Sequence, residues 1–115
     1  MKPDTPTTKD RVHHVLRAID LIQSFASDHT QESFINDEKS FSASLYQFAI
    51  IAEASSHVES SILEKYTYPW YKVKSFRNFI LHSYHGIERR VIWNTILDVL
   101  PGLKNVFEEI LKKEF

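Results

Sequence analysis

The stretch TKDRVHHVLRAIDLIQSFAS, residues 8–27, decides the fold class. Val12, Val15, Leu16, Ile19, Ile22 and Ala26 recur at spacings of three and four, the period of one helix face. With Thr8 as N-cap and Asp10 in the first turn, this predicts a helix from about Thr8 to Ser27. Outward from it, no glycine or proline occurs between residues 7 and 68. Tight hairpins rely on glycine-containing turns, and neither Asn-Gly nor Asp-Gly occurs anywhere in the chain. The pattern predicts an all-α protein, an antiparallel bundle of four to five helices. Residues 1–7, polar and carrying Pro3 and Pro6, read as a flexible tail, and residues 8–115 as a single domain.

The remaining elements follow from the same period. Asp28 to Asp37 is polar apart from Phe34 and Ile35, and reads as a connector with one helical turn that tucks Phe34 into the core. Asp37 is an N-cap for a helix carrying Phe41, Leu45, Phe48, Ala49 and Ala52 and ending or bending near Ser60. The small residues from Ala49 to Ser56 allow a neighbouring helix to approach closely. Lys65 to Tyr68 is a turn, and Tyr68-Pro69 opens a third long helix, proline being favoured at the first helical position. That helix carries Trp70, Val73, Phe76, Ile80 and Leu81 and stops at Gly86, a C-cap residue. A last apolar stripe runs from Ile92 to Leu111, and Pro101 within it predicts a kink or break.

Composition excludes several functions. The chain of 115 residues has no cysteine, which removes disulfide scaffolds and Cys-ligated metal sites. No glycine-rich phosphate loop is present, so dinucleotide and P-loop chemistry are out. No apolar run approaches the roughly 20 residues of a membrane span, and no signal-peptide pattern opens the chain, so a cytoplasmic protein without membrane contact is expected.

The net charge of −1 hides an asymmetry. Between residues 65 and 90, Lys65, Lys72, Lys74, Arg77, Arg89 and Arg90 stand against Glu88 alone. A charge run of this kind is ordinarily a solvated helix face. Interleaved with Tyr66, Tyr68, Trp70, Tyr71 and Tyr84, it also suits phosphate contact and stacking on unpaired bases. On that reading Lys72, Lys74, His85, Arg89 and Arg90 are candidate RNA-binding residues.

The segment that carries chemistry is Arg77-Asn78-Phe79-Ile80-Leu81-His82-Ser83-Tyr84. Asn78 and His82 are four apart and share a helix face, where the amide could fix the imidazole tautomer. Arg77 and His82 are five apart, about 140° around a regular helix. A long arginine arm, a distorted last turn or a second copy of the helix across a dimer axis would bring them together. Metal-free RNA cleavage needs these residue types. Histidine can take the 2′-hydroxyl proton or protonate the 5′-oxygen near neutral pH, and a guanidinium can bind the charged phosphorane oxygens through paired hydrogen bonds. The competing structural reading is a histidine satisfied at a helix end and an arginine on the surface.

Arg77-x4-His82-x-Tyr84 resembles the R-x4-H-x-Y signature of the HepT-like toxins within the HEPN superfamily of helical ribonucleases. Ile51-Ala52-Glu53-Ala54-Ser55 is similar to that family's "GEA" stretch, with Ala52 where glycine is usual. Tyr68-Pro69-Trp70, Val91-Ile92-Trp93 and Leu100-Pro101-Gly102-Leu103 resemble further landmarks, so the likeness spans about residues 10–111. The resemblance implies an all-α homodimer with Arg77 and His82 catalytic in a cleft at the subunit interface, supported by Asn78. It implies a metal-independent endoribonuclease, without cofactor, that is the toxin of a toxin–antitoxin pair. The partner it implies is a small nucleotidyltransferase antitoxin that transfers AMP onto Tyr84. The Ala52 departure touches helix packing more than chemistry.

Two other readings compete. One is a non-catalytic HEPN module that binds nucleotides or a partner protein. The other is a metal-binding bundle using His13, His14, His57, Glu53 and Glu59, which the sequence disfavours: His13 and His14 point about 100° apart, and no Glu-x-x-His pair occurs. His29 and His85 are expected in solvent, His85 within reach of phosphate.

Overall fold

The computed structural model describes residues 5–82 and 88–115. All regular structure among them is helical: α1 (Thr8–Ala26), α2 (Gln31–Ile35), α3 (Glu38–Ser56), α4 (Ser60–Leu63), α5 (Trp70–His82), α6 (Arg89–Asp98) and α7 (Leu100–Glu114). Five are long helices, and α2 and α4 are about one turn each.

The expected apolar face of α1 is buried, with Val12, Val15, Ile19 and Ile22 fully enclosed. Burying each such side chain contributes about 1.5–3 kcal/mol. The N-cap falls one residue earlier than the pattern suggests. Thr7, not Thr8, is the cap, because Asp10 then stands at the third helical position. The Asp10 amide donates to Thr7 Oγ1 at 3.1 Å and the Thr7 amide donates back to Asp10 Oδ2 at 2.8 Å.

Phe34 is fully buried on the single turn of α2, its ring centroid 5.2 Å from that of Trp93. His29, expected in solvent, is half-buried. Its ring hydrogen-bonds Ser33 Oγ at 2.9 Å and Ser40 Oγ at 3.2 Å and meets the Phe34 ring edge-on. Asp37 caps α3 by accepting from the Lys39 and Ser40 amides. α3 ends at Ser56, short of Ser60, and the chain re-forms one turn as α4, where Ile62 and Leu63 turn inward. Pro101 produces the predicted break: α6 stops at Asp98, and Pro101 stands in the first turn of α7, where a missing amide costs nothing.

α1 packs chiefly on α3 and also against α7 and α6, while α5 lies on α3. α5 begins at Trp70, just past Pro69. The indole Nε1 donates to the Leu63 carbonyl at 2.9 Å, and the ring meets Phe107 edge-on at 5.7 Å. Further along, Phe76 lies 5.0 Å from Phe48 and 5.7 Å from Phe79. The Phe48–Phe76 contact joins α5 to α3, and Trp70 joins its start to α4 and α7. The chain before α5 is tied to the last turn of α7, where Glu114 accepts from Lys65 Nζ and Tyr66 Oη, both at 2.9 Å. Among the described residues, no helix is long and apolar enough to cross a membrane.

Candidate active site

On α5, Val73 and Ile80 turn inward and Arg77 lies between them, three and four residues away, at the margin that faces α3. The opposing face of α3 presents Ala49, Ala52, Glu53 and Ser56, a stripe at helical spacing whose small members let the two helices lie close. Arg77 Nη2 reaches Glu53 Oε2 at 3.2 Å, and both side chains remain about half exposed. The other carboxylate oxygen, Oε1, is hydrogen-bonded to His57 Nε2 at 3.0 Å. That hydrogen bond is the main reason the Glu53 carboxyl sits below its ordinary range, and the charges of Arg77 and Arg11 add to it.

Arg77 stands between two clefts. One, of about 180 Å³, is lined by Ala49, Glu53, Arg77 and Ile80. The other, of about 310 Å³, runs toward α4 and is lined by Lys74 and Arg77 together with Ser55, Ser56, Ser60 and Trp70 among others. Lys74 and Arg77 are three apart and share a face, so two cations border one cleft. A third groove, of about 220 Å³, is almost wholly apolar. Phe48, Ile51, Val73, Phe76 and Leu103 line it, with Lys72 at its border.

The other sequence-derived candidates fall into four groups. Asn78, Lys72 and Arg90 are exposed, Asn78 one position past Arg77. His82 is the last residue of α5, which is α-helical over Trp70–His82, so its backbone keeps the offset of about 140° from Arg77. Tyr84, His85 and Gly86 lie outside the described residues. Arg89 is already engaged within the fold. Its Nη2 contacts both Glu38 oxygens, at 2.6 and 3.0 Å, and Nη1 donates to the Ile35 carbonyl at 3.1 Å. The guanidinium also lies 4.1 Å from the Phe41 ring centroid, so it fastens the start of α6 to α2 and α3.

Sequence reasoning missed Glu53 as the partner of Arg77. The signal was a glutamate set in a stripe of small residues, Ala49, Ala52 and Ser56, where a close helix would be met by a charge. His57, considered with Glu53 for metal binding, instead hydrogen-bonds it one turn along α3. Among the described residues, no three His, Asp or Glu side chains gather as a metal site would require.

Comparison with known proteins places the chain in a family. The family profile described as "Ribonuclease HepT-like" matches residues 15–110, a span that includes α3, α5 and the clefts between them. A probable ribonuclease HepT of Thermococcus cleftensis is 31% identical over 105 residues, covering 90% of this chain and 96% of that protein. A candidate RNase of Caldanaerobacter subterraneus subsp. tengcongensis is 29% identical over 109 residues, covering 94% and 97% respectively. A candidate RNase of Methanocaldococcus jannaschii is 29% identical over 102 residues, 88% of each chain. No solved structure matches the chain. The family match over most of the chain, together with relatives aligned almost end to end, shows that this protein belongs to the HepT-like ribonuclease family.

Proposed function

We propose that the protein is a metal-independent endoribonuclease that acts as a homodimer, with Arg77 and His82 as catalytic residues and Asn78 in support. The observation that carries this reading is the position of Arg77. Its guanidinium is half exposed between two clefts, and it lies on the same helix as His82. In the proposed reaction the 2′-hydroxyl attacks the adjacent phosphorus and the 5′-oxygen leaves. His82 moves a proton at one of these oxygens, and Arg77 binds the phosphorane oxygens as charge gathers on them. The product carries a 2′,3′-cyclic phosphate. Two copies would supply two arginines and two histidines to one cleft, which meets the 140° offset within one helix. The uncovered apolar groove beside α5 is consistent with a partner copy. Lys72, Lys74, Arg90 and His85 would hold flanking phosphates. For Arg89, contact with RNA would compete with its hold on Glu38 and Ile35.

In the same reading the protein is the toxin of a toxin–antitoxin pair, and a nucleotidyltransferase antitoxin silences it by adding AMP to Tyr84. The added phosphate would compete for Arg77 while the adenosine obstructs the cleft. The test is cleavage of RNA by the purified chain. Activity should survive EDTA, leave a cyclic phosphate and vanish in Arg77→Ala and His82→Ala. Loss of cleavage on chelation would refute the mechanism, and a monomer at micromolar concentration in sedimentation would refute the composite site. AMP mapped to any tyrosine other than Tyr84 would refute the regulation.

A second reading is a non-catalytic module that binds nucleotides or a partner protein. It draws on the Glu53–Arg77 pair, which a binding surface tolerates without needing a free arginine. RNA binding with no cleavage would support it.

A further inference from the structure

We infer that Glu53 is the positioning residue for Arg77, turning its guanidinium toward the scissile phosphate while His57 holds the carboxylate from its far oxygen. The inference rests on the proposed ribonuclease reading. Two cationic or protonatable side chains meet Glu53, His57 just past the end of α3 and Arg77 on α5, and the charge of Arg11 on α1 adds to theirs. The two closest approach different oxygens, His57 at Oε1 and Arg77 at Oε2, so the carboxylate is held at both ends. Arg77 meets Glu53 through Nη2, and the planar fork has further N–H groups to give to a phosphate.

An opposite role, Glu53 as a latch that keeps Arg77 from RNA, fails on magnitude. A half-exposed pair made through one guanidinium nitrogen is weak. A phosphate bound through two parallel, charge-assisted hydrogen bonds is stronger and would displace it. What a weak contact can do is select one orientation of a long, flexible arm before substrate arrives. The packing explains why a glutamate stands there. Ala49, Ala52 and Ser56 bring α3 close to α5, and at that distance a glutamate spans the gap.

The test compares Glu53→Gln, Glu53→Asp and His57→Ala with the intact dimeric protein and with Arg77→Ala. RNA cleavage is resolved into kcat and KM, and the Nε–Hε resonance of Arg77 is followed by NMR, assigned through its loss in Arg77→Lys. Glu53→Gln should lower kcat about fivefold without raising KM, because removing a negative charge does not weaken phosphate binding. It should also shift the Arg77 resonance. Glu53→Asp should keep more activity than Glu53→Gln, and His57→Ala should show a smaller fall in kcat. Wild-type kcat in Glu53→Gln, or an unmoved Arg77 resonance, would overturn the inference. So would equal losses in the Gln and Asp variants accompanied by a lower melting temperature. Cleavage lost in Arg77→Ala but intact in Glu53→Gln would overturn this inference alone. Cleavage that survives Arg77→Ala, or a wild type that never cleaves, would overturn the ribonuclease reading and this inference with it.

Discussion

α1 and α5 are both amphipathic, yet the fold treats them differently. α1 buries Val12, Val15, Ala18, Ile19, Ile22 and Ala26 and is packed by α3, α7 and α6. Among the described side chains of α5, only Ile80 is buried, and its main neighbour is α3. Trp70, Val73, Phe76 and Phe79 are half-covered, and Tyr71 is 70% exposed. A helix enclosed on several sides can contribute stability but cannot meet a substrate. A helix fastened along one side can present Lys74 and Asn78 to solvent and keep Arg77 half exposed at the margin beside α3. If α5 carries the proposed chemistry, stability and activity rest on different helices, and changes to each should be read out differently.

The largest expected effect is on activity. Arg77→Ala and His82→Ala on α5 should each lower RNA cleavage by about 10²–10⁴-fold, with circular dichroism and melting temperature unchanged. A coincident loss of stability would break the separation. On the enclosed side, Phe107→Ala removes a fully buried ring. It should cost about 3–5 kcal/mol in denaturant unfolding. Phe76→Ala on α5 removes a ring that is only half-covered, and should cost about 1–2 kcal/mol. Equal costs for the two phenylalanines would mean that α5 is as enclosed as α7, which carries Phe107. Smaller again, Thr7→Ala removes the α1 cap and should cost about 1 kcal/mol.

The smallest effect is a pH dependence at the tie between α7 and the segment leading into α5. Hydrogen bonds from Lys65 and then Tyr66 hold the Glu114 carboxyl below its ordinary value of 4.5. Its contribution is therefore present above that pH and is lost as the pH falls through the lowered value. Tyr66 is pushed up to about 12, first by its partial burial and then by the Glu114 carboxylate. Its contribution is complete below its ordinary value of 10 and is lost as the pH rises toward 12. Thermal melts across pH should show both limbs, and Tyr66→Phe should flatten the alkaline one.

Much of the fold was legible because helix formation writes a local period into the chain. The stripe of α1, the Asp37 cap and the break at Pro101 each depend on residues within a few positions of one another. The lone turn α4 was not legible, because four residues carry too little period to stand out. The candidate site divides in the same way. Arg77, Asn78 and His82 are candidates because of their spacing within one helix, whereas the Glu53 partner of Arg77 lies 24 positions away on another helix. The contacts of Arg89 and His29 were not legible for the same reason. A charged or titratable residue in a polar stretch looks exposed until Glu38, Ile35 and Phe41, or Ser40 and Phe34, close around it.

By itself the sequence determined the all-α class, the course of the long helices and the Arg77–His82 motif. These follow from periodicity, caps and spacing, which act over one or two helical turns. Tertiary structure alone decided that Glu53 meets Arg77, that Arg89 fastens α6 rather than standing free, and that α5 keeps one side open. Those outcomes depend on how far each helix is rotated about its axis and how closely its neighbour approaches. Side-chain volumes packed across the interface between α3 and α5 set both, and no local pattern records them.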